Sequence, residues 1–526
     1  MTQVKATASQ RVHPVLIGND YNPLLQLVLE VEQDKIQVNS FTFSLHGTGD
    51  LSDLESLQLF YSEESEPKEL DSIRSGRFVG DRHAVLTKLV GKPYGNLLKP
   101  AWKLTFENQQ QLQKGTLVFW LSCRIRTRAN LSNKVDAHCI EIQTSSGTIP
   151  TRDSTPGIRK RIGVALRKHY QDGVHTSRIP ALTTTPNGTL LCVYDLRRRM
   201  SRDLQEDIDI GLSRSTDSGQ TWEPVKVIMD MGEYGGLPQA LNGCSDPGIV
   251  VDQNTGEIFC AAVWMWGKSG KHQWGKDGSE SGHEIGKRAQ FLMVRSRDDG
   301  LTWTQPENMT QQLKHPEWIL LAPSPQAGLT LNDGTLIMPG QGRDEKDRHF
   351  STLIISRDHG NTWTVAPSTA IGNTESQAVQ LADGSILLNA RTDRESGIKF
   401  RSVWVTKNLG QTWNPHNTHR NTLIEPHCNG SLLLFNYMNN GYLQKILLFA
   451  NPHSQTSRKH HTIHMSFDEG ETWPYESRIL LDEGFGNGYP SMTQIGNSHI
   501  GIVYEGSQSQ LVFERFSINE LLEHRK

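Results

Sequence analysis

The sequence contains few cysteines, and none of them is spaced as a metal-binding or redox pair. No Cys-x-x-Cys pair occurs among the six cysteines, which are Cys123, Cys139, Cys192, Cys244, Cys260 and Cys428. This absence argues against a zinc site and against a thioredoxin-like activity. Residue 131 lies in the predicted turn of a hairpin through residues 129–132, and Cys123 and Cys139 lie at equal distances along the chain on either side of it. A disulfide across that hairpin is one possibility, and two buried thiols are the favoured one.

The sequence also lacks a long apolar run and an excess of either charge. No run approaches the ~20 apolar residues that span a bilayer, and the N-terminus lacks the charged-then-apolar pattern of a signal peptide. Lys plus Arg total 54 and Asp plus Glu total 57, for a net charge of −3. We therefore expect no transmembrane segment and no nucleic-acid partner. The basic run 159–161 is interpreted as the start of a strand near a domain junction, with a binding patch as the alternative.

An eight-residue phrase, Ser/Thr-x-Asp/Asn-x-Gly-x-Thr-Trp, occurs five times. The copies are Ser215–Trp222, Ser296–Trp303, Ser356–Trp363, Thr406–Trp413 and Ser466–Trp473. The Asp or Asn side chain can accept hydrogen bonds from nearby backbone N–H groups, and the glycine can adopt a positive φ. Each phrase predicts a tight turn between two strands, with its tryptophan buried between neighbouring repeats. Because this role is structural, the acidic residues of these boxes are not assigned to catalysis.

A second repeated pattern is a turn followed by a short apolar run. It occurs at Asn187–Leu191, Asp333–Ile337, Asp383–Leu387 and Asn429–Leu433, and more weakly at Thr255–Ile258 and Gly496–Ile500. Six turn signals against five boxes predict a six-bladed β-propeller in which one blade lacks its box. A parallel solenoid is the alternative, but its repeats would be shorter and more even.

The length of 526 residues exceeds what one hydrophobic core usually fills, so at least two domains are expected. Upstream of the repeats, short strands are predicted at Leu24–Val31, Ile36–Leu45, Leu57–Tyr61, Ala101–Phe106, Thr116–Ile125 and Ala137–Ile142. We predict an all-β chain with a β-sandwich over residues 1–150 and the propeller over residues 156–526. The polar stretch Gln143–Gly157 is the predicted linker.

Three arginines precede or end apolar strand segments in different predicted blades: Arg178, Arg391 and Arg458. Segments from separate blades converge near the central channel of a propeller, so these arginines could surround one anion. Three unrelated surface arginines are the alternative that spacing alone leaves open.

The chain resembles the bacterial exo-sialidases, or neuraminidases. The resemblance rests on Arg-Ile-Pro ahead of the first blade, on the boxes, and on the phrases Val193–Arg197, Asp203–Glu206, Leu447–Pro452 and Leu481–Gly484. It covers the whole chain, because sialidases of gut Bacteroides also carry an N-terminal β-sandwich, here expected to be similar to a carbohydrate-binding domain. The resemblance implies a retaining exo-sialidase that needs no metal or organic cofactor. Its partners would be sialylated oligosaccharides, glycoproteins or glycolipids.

The resemblance assigns the three arginines to the substrate carboxylate. In the family three arginines grip this group, and Arg178, Arg391 and Arg458 match them. A guanidinium suits the role because it is always charged and presents paired donors to two oxygens. Glu505 matches a glutamate that orients the first arginine, with an ordinary carboxylate at a strand end as the alternative.

Tyr489 matches the family nucleophile and Glu375 its partner base. Most glycosidases use two carboxylates, but the anomeric carbon of sialic acid carries its own carboxylate, which repels an anionic nucleophile. A neutral phenol is not repelled, and a nearby glutamate can take its proton as attack proceeds. An amphipathic tyrosine on a turn before Pro490 is the alternative.

The resemblance implies that Asp203 is the acid/base residue, which protonates the leaving oxygen and then deprotonates water. Asp207 and Asp209 lie in the same segment and are alternatives. Arg197 matches a family arginine near the ring hydroxyls of the sugar, and a salt bridge to Asp195 is its alternative role.

Further residues are expected to shape the pocket. Asp246 and Gln341 lie at corresponding strand ends, where they would contact the N-acetyl or glycerol group or simply close a turn. Trp264, Trp266 and Trp274 surround the Gly-rich stretch Gly267–Gly286. These tryptophans form either a lid that stacks on sugars or a packed hydrophobic flap.

Two other functions are left open by the sequence. A trans-sialidase or an intramolecular, anhydro-forming sialidase would share the nucleophile and the arginines. A non-catalytic glycan-binding propeller would not need Glu375 and Tyr489 beside a carboxylate clamp. The resemblance implies a secreted, periplasmic or cell-surface location with any signal peptide removed, and a cytoplasmic location is the alternative.

Overall fold

The protein consists almost entirely of β-strands, which confirms the predicted all-β class. The computed structural model describes residues 4–32, 36–62, 92–97, 99–204, 206–265, 274, 278–368 and 370–524. The chain divides into two units. Unit 1 contains Met1–Ala165, Leu481–Gly486 and Ser507–Glu514, and unit 2 contains Leu166–Leu480, Asn487–Gly506 and Arg515–Lys526. No helix among the described residues is long and apolar enough to cross a membrane.

Unit 1 is built from thirteen strands at its N-terminal side. They are β1 Val4–Ser9, β2 Val15–Ile17, β3 Asn22–Val31, β4 Ile36–Ser44, β5 Leu54–Ser62, β6 Lys92–Leu97, β7 Lys103–Leu112, β8 Gly115–Ile125, β9 Lys134–Val135, β10 His138–Thr144, β11 Gly147–Ile149, β12 Thr151–Asp153 and β13 Lys160–Arg167. One sheet has the order β12-β1-β3-β8-β5-β6 and the other β11-β10-β4-β7. The rings of Phe41 on β4 and Phe119 on β8 lie 4.5 Å apart between centroids, so the core lies between the sheets. All six strands predicted upstream of the repeats are present.

The predicted hairpin between Cys123 and Cys139 is wrong. Cys123 lies on β8 and Cys139 on β10, and these strands belong to different sheets. β8 pairs with β3 and β5, and β10 pairs with β4 and β11, so β8 and β10 do not pair with each other, which the local turn signal at residues 129–132 could not indicate. Both cysteines are free thiols, and burial raises the pKa of Cys139 to about 11.

The predicted linker Gln143–Gly157 contains ordered strands. β11 pairs with β10, and β12 pairs in parallel with β1, so this polar stretch forms sheet edges inside unit 1. The domain boundaries at residues 150 and 156 stay predictions. The strand predicted after the basic run is confirmed as β13. Lys160 is 1% exposed and its Nζ donates to the carbonyl of Arg11 at 2.6 Å, so it offers no charge to a binding patch.

Unit 2 carries the repeated part of the sequence. Its strands are β14 Thr176–Thr184, β15 Leu190–Arg197, β16 Ile208–Ser215, β17 Lys226–Met229, β18 Cys244–Val251, β19 Ile258–Trp264, β20 Gln290–Ser296, β21 Glu307–Asn308, β22 Leu320–Pro323, β23 Leu329–Thr330, β24 Leu336–Arg343, β25 His349–Ser356, β26 Thr364–Val365, β27 Ala370–Ile371, β28 Asn373–Gln380, β29 Ile386–Thr392, β30 Ser402–Thr406, β31 Asn414–Pro415, β32 Ser431–Asn439, β33 Tyr442–Pro452, β34 Lys459–Ser466, β36 Pro490–Ile495 and β37 His499–Tyr504. Among the described residues, three strands belong in part to each unit: β13, β35 Arg478–Phe485 and β38 Leu511–Ser517. The described α-helices are α1 Thr310–Leu313 and α2 Ile518–Glu523, and 3-10 turns occur at Leu51–Asp53, Gln171–Gly173 and Gln239–Leu241.

The strands of unit 2 form a β-propeller. Sheet I contains β14–β17, sheet II β18–β21, sheet III β22–β27, sheet IV β28–β31 and sheet V β32–β35, and the hairpin β36–β37 follows. Neighbouring inner strands contact one another in the order β14, β18, β24, β28, β32 and β36, and β36 contacts β14. This closed ring of antiparallel sheets defines a propeller. The count of six blades stays a prediction, in which the β36–β37 hairpin belongs to the sixth.

The repeated boxes form the turns that their sequence predicts. In the box at residues 356–363, the carboxylate of Asp358 accepts from the hydroxyl of Ser356 at 2.9 Å and from the N–H of Thr362 at 2.9 Å. Gly360 has φ of 79°, which favours glycine at this position. The same bonds surround Asp217, Asp298, Asn408 and Asp468.

Four of the five box tryptophans pack between adjacent sheets, as predicted. Trp303 packs on the cluster between sheets I and II, and Trp363 lies between sheets II and III. Trp413 packs between sheets III and IV, and Trp473 lies between sheets IV and V. The boxes therefore attach each sheet to its neighbour, at a distance from the chemistry.

One of the predicted hairpin turns is misplaced. Asn429 and Gly430 precede the first strand of sheet V, and the turn between β32 and β33 lies at Asn440 and Gly441, which have φ of 49° and 80°. Gly430 serves another purpose, because a Cβ there would lie 2.7 Å from the ring of Phe449. A glycine needed for close packing produced the same local signal as a turn.

Replacing a box carboxylate should weaken folding without affecting catalysis. Asp358→Ala removes the acceptor for three donors of one turn, so we expect the free energy of unfolding to fall by about 1–2 kcal/mol. Urea denaturation measures this loss. Turnover at temperatures where the variant is folded should equal that of the parent, and a specific loss of turnover would contradict the structural role.

Candidate active site

A cavity of about 280 Å³ in unit 2 collects most of the residues singled out in the sequence. Its lining includes Arg178, Asp203, Asp246, Gln341, Glu375, Arg391, Arg458 and Tyr489. These residues come from different sheets and from the segments beside them. Arg178, Asp246 and Glu375 lie on the first strands of their sheets, and Gln341 and Arg391 lie on the strands paired with first strands. Two predicted residues, Arg197 and Glu505, lie behind this lining and contact residues that form it.

Arg178 is held by Glu505. Its Nε donates to one carboxylate oxygen at 3.1 Å and its Nη2 to the other at 3.2 Å. Burial alone would lower the pKa of Arg178, but Glu505 and Asp203 together raise it. Glu505 also accepts from the N–H groups of Ile179, at 2.8 Å, and Tyr489, at 3.3 Å. The glutamate thus fixes both the arginine and the backbone beside it.

The strand that bears Arg178 is distorted where it meets the cavity. Its pairing with β15 shifts between Arg178 and Ala181, and Ile179 has φ of 60°. A β-branched residue with positive φ costs about 1–3 kcal/mol and persists only where surrounding contacts impose it. Similar shifts occur in β18 between Ser245 and Gly248, and in β28 at the strand end that carries Glu375. These irregularities turn side chains of three inner strands into the cavity.

Tyr489, Glu375 and Arg391 form one hydrogen-bonded group. The phenol of Tyr489 donates to Oε1 of Glu375, and Nη1 of Arg391 donates to Oε2 of Glu375 at 2.7 Å and to the phenol oxygen at 3.0 Å. All three side chains are largely buried. Nε of Arg391 is buried and has no hydrogen-bond partner within the described part of the chain.

The electrostatic environment of Tyr489 keeps its phenol protonated. Burial raises the pKa of Tyr489 well above its ordinary value, and the negative charge of Glu375 raises it further. Arg391 and Arg458 act in the opposite direction. For Arg391, Glu375 and Tyr489 outweigh burial and raise the pKa. On balance, these effects favour the neutral phenol of Tyr489 over its phenolate.

Arg458 is the third arginine beside Tyr489. Its Nη1 donates to the carbonyl of Asn487 at 2.8 Å and its Nη2 to the carbonyl of His427 at 3.2 Å. The guanidinium carbons of Arg458 and Arg178 lie 5.4 and 5.5 Å from the centre of the Tyr489 ring. Three arginines thus surround one phenol.

Asp203 is the partly exposed carboxylate of the cavity. Its side chain is 35% exposed, and Oδ1 lies 2.6 Å from Nη1 of Arg197 and 3.7 Å from Nη1 of Arg178. Arg197 is fully buried and also bonds Asp195 at 2.9 Å. The salt bridge given as the alternative role of Arg197 is therefore present, and the guanidinium does not line the cavity as a direct sugar contact would require. Because the guanidinium of Arg197 is buried, its charge is stabilised by the carboxylates of Asp195 and Asp203 in place of water.

The two alternatives to Asp203 lie outside the cavity lining. Asp209 is buried and paired with Arg198 at 2.5 Å, and burial raises its pKa to about 6. Burial also raises the pKa of Asp207. Of the three carboxylates in this segment, Asp203 alone lines the cavity.

Asp246 and Gln341 meet at the cavity wall. Nε2 of Gln341 lies 3.2 Å from Oδ2 of Asp246. Burial raises the pKa of Asp246 well above its ordinary value, and the nearby charge of Asp195 adds to the shift. These surroundings therefore favour the protonated form of Asp246 over its carboxylate, relative to a carboxyl group in water. Its φ of 57° shows that the strand is bent to place it there.

The three tryptophans near the Gly-rich stretch differ in position. Trp264 is fully buried, with its indole N–H bonded to Asn242, so it belongs to the core. Trp274 lines the cavity. Trp266 and half of Gly267–Gly286, namely residues 267–273 and 275–277, lie outside the described residues.

Several lining residues were not identified from the sequence. They are Ile179, Leu320, Gly342, His349, Thr374, Asp393, Arg394 and Glu395. Asp393–Glu395 could have been found, because this charged run follows directly on the strand end that carries Arg391. The others carry no local signal, since only the meeting of separate sheets brings them to the cavity.

The fold and the cavity define a β-propeller enzyme of the glycoside hydrolase class, and comparisons with known proteins agree. A BNR repeat-like domain matches residues 164–502, and the N-terminal domain of BNR-repeat neuraminidase matches residues 2–148. A sialidase from Bacteroides fragilis is 34% identical over 520 residues, covering 97% of this chain and 94% of the relative. The chain belongs to the sialidase family.

Solved structures give the same picture. The Hadza microbial sialidase Hz136 is 32% identical, with a TM-score of 0.88, and the match covers 98% of this chain and 99% of the other. An intramolecular trans-sialidase from Ruminococcus gnavus shares the fold at 19% identity and a TM-score of 0.53, over 66% of this chain and 96% of the other. Both the resemblance and the sandwich-plus-propeller architecture predicted from the sequence are confirmed.

Proposed function

We propose that the protein is a retaining exo-sialidase that hydrolyses terminal α-linked sialic acids through a covalent tyrosyl intermediate. The observation that carries this proposal is the phenol of Tyr489 hydrogen-bonded to Glu375 inside a cavity lined by Arg178, Arg391 and Arg458. A neutral nucleophile beside a carboxylate base, surrounded by cations, suits a substrate whose reacting carbon bears a carboxylate. Sialylated glycans are the substrate class.

The three arginines would hold the substrate carboxylate against the reacting carbon. Each has its backbone or side-chain anchors: Glu505 for Arg178, Glu375 for Arg391, and two carbonyls for Arg458. A bidentate arginine–carboxylate contact is short and charge-assisted. Because the arginines surround the ring of Tyr489, a carboxylate bound to them would place the anomeric carbon beside the phenol.

In the first step, Oη of Tyr489 would form a bond to the anomeric carbon while the bond to the leaving oxygen breaks. The phenol proton passes to Glu375, which already accepts it in a hydrogen bond. The raised pKa of Tyr489 makes this transfer necessary, since burial disfavours a free phenolate. Arg391 and Arg458 favour the developing negative charge on the oxygen.

Asp203 would deliver a proton to the leaving oxygen and take one from the water that cleaves the tyrosyl bond. In the empty cavity it is paired with Arg197. A bound carboxylate on the arginine side adds a negative charge near Asp203, which favours the protonated form that the acid step requires. Asp246 and Gln341 would contact polar groups of the sugar, and Arg197 would position Asp203 rather than touch substrate.

Transfer of the sialyl group to a sugar hydroxyl, or to its own hydroxyl, is the competing outcome. All three outcomes use the same nucleophile and arginines, and they differ in what reaches the intermediate. Digestion of sialyllactose followed by NMR of the products separates them. Free sialic acid as the first product supports hydrolysis, and a sialylated acceptor or an anhydro sugar would overturn it in favour of transfer.

Arg391→Lys should impair both binding and turnover. A lysine keeps one positive charge but loses the paired donors that reach Glu375, the phenol and a carboxylate. We expect kcat/KM on sialyllactose to fall by about 10- to 100-fold, the worth of one charged hydrogen bond, with KM raised and kcat lowered. Steady-state kinetics measures both. Parent-like constants would show that charge alone suffices at this position.

A further inference from the structure

A fully buried ion pair lies behind the cavity in unit 2. Nη1 of Arg401 and Oε2 of Glu425 are 2.7 Å apart, and both side chains are 0% exposed. Neither residue lines the cavity. A buried ion pair contributes little net stability compared with apolar residues of the same volume. Its presence here therefore calls for a reason other than folding energy.

The pair is bonded on both sides of the segment that carries Arg391. Nε of Arg401 donates to the side chain of Asn389 at 2.7 Å, two residues before Arg391. Oε1 of Glu425 accepts from the N–H of Thr392 at 2.8 Å, directly after it. The end of β29 is thus held by two charged side chains: Arg401 bonds the residue two positions before Arg391, and Glu425 bonds the residue directly after it.

The same pair reaches the loop that supports the other side of the cavity. Nη1 of Arg401 donates to the carbonyl of Cys428 at 2.8 Å. Cys428 packs against Tyr489, and the carbonyl of its neighbour His427 accepts from Arg458. His427 has φ of 52°, so this loop is held in a conformation that needs support from its surroundings.

We propose that Arg401 and Glu425 are positioning residues that set the spacing between Arg391 on one side and Arg458 and Tyr489 on the other. Through its hydrogen bonds, the ion pair joins the end of β29 to the 427–428 loop, and these two segments are also joined by the contact of Nδ1 of His427 with the carbonyl of Thr392 at 3.3 Å. Charged hydrogen bonds are shorter and more directional than neutral ones, so they fix this spacing more tightly than apolar packing does. The inference rests on the proposed carboxylate clamp, which Arg391→Lys tests separately.

The test separates positioning from stability by comparing two variants. Glu425→Gln leaves a buried guanidinium with a weaker partner, and Arg401→Met with Glu425→Leu replaces the pair by apolar side chains of similar size. We expect Glu425→Gln to melt at a lower temperature and to lose about 10- to 100-fold in kcat/KM, as a misplacement near 1 Å can cause. Most of this loss should appear as a raised KM and as weaker binding of a 2,3-unsaturated sialic acid analogue.

The apolar double variant decides between the two roles. We expect it to melt near the parent temperature and still show the raised KM and the weakened analogue binding. A double variant that recovers parent melting and parent KM together would overturn the proposal, because the pair would then act only through stability.

A matched control guards against variants that fold poorly. Arg214 and Asp299 form another ion pair of unit 2, 2.8 Å apart, which joins neighbouring sheets away from the cavity lining. Asp299→Asn should lower the melting temperature and leave KM unchanged. If Asp299→Asn and Glu425→Gln raise KM alike at equal loss of melting temperature, the proposal is also overturned.

Discussion

Tyr489→Phe should abolish most hydrolysis while leaving ligand binding nearly intact. The substitution removes the phenol oxygen that donates to Glu375 and accepts from Arg391, and it leaves the three arginines in place. Because both the nucleophile and the function of its base are lost, kcat should fall by at least the ~10²–10⁴-fold that acid–base catalysis contributes. Steady-state kinetics on an activated aryl sialoside measures this fall, and calorimetry with an unsaturated sialic acid analogue measures binding.

The chain offers a matched tyrosine for comparison. Tyr194 on β15 is equally buried, and its hydroxyl bonds that of Ser213 at 2.7 Å, away from the cavity lining. Tyr194→Phe should therefore cost stability and spare turnover. Undiminished turnover in Tyr489→Phe would exclude the tyrosyl intermediate, and equal losses in the two variants would point to a general folding defect.

Asp203→Ala should harm the natural substrate far more than an activated one. A galactose hydroxyl needs a proton as it leaves, whereas an aryl oxide with a low pKa departs without one. We expect kcat/KM to fall by roughly 10²- to 10⁴-fold on sialyllactose and much less on the aryl sialoside. The comparison uses kcat/KM because, in the proposed mechanism, Asp203 is also the base in hydrolysis of the intermediate, and an intermediate that accumulates would dominate kcat.

Asp207 provides the control for this test, because it lies near Asp203 in sequence but outside the cavity lining. Asp207 lies in the same segment, is partly buried and does not line the cavity, so Asp207→Ala should affect both substrates alike or not at all. Removing Asp203 also leaves Arg197 with Asp195 as its remaining carboxylate. Equal losses on the two substrates for Asp203→Ala would therefore indicate that Asp203 acts through this ion-pair network and does not transfer the proton.

The sequence predicted those parts of the protein whose signals are local. The boxes are an example, since Asp358, its two hydrogen-bonded neighbours and Gly360 lie within seven residues, and each of the five boxes forms the same turn. The upstream strands were predicted for the same reason, through alternation of apolar residues. Asn429 and Gly430 show where local signals fail. Gly430 makes room for the ring of Phe449, and its sequence pattern is the same as that of a turn glycine.

The candidate site was predicted by resemblance rather than by local pattern. Arg178 lies on β14 of sheet I, Arg391 lies on β29 of sheet IV, and Arg458 directly precedes β34 of sheet V, so no periodicity relates them. The resemblance singled out these three from a large set of arginines, and the structure brings them around Tyr489, while their contact with a substrate carboxylate stays a prediction. It did not reveal that Arg197 is buried in an ion pair, because burial depends on the segments that fold over it.

By itself, the sequence determined an all-β chain, a repeat of antiparallel sheets, the turns that join them and the family. Each of these depends on neighbours along the chain or on matched phrases. The tertiary structure alone decided that Cys123 and Cys139 belong to different sheets, that Asp203 faces the cavity while Asp209 does not, and that Arg401 and Glu425 are paired. The physical reason is that the interactions which set burial, ion pairing and backbone strain act between residues far apart in sequence, and only closure of the propeller brings these residues together.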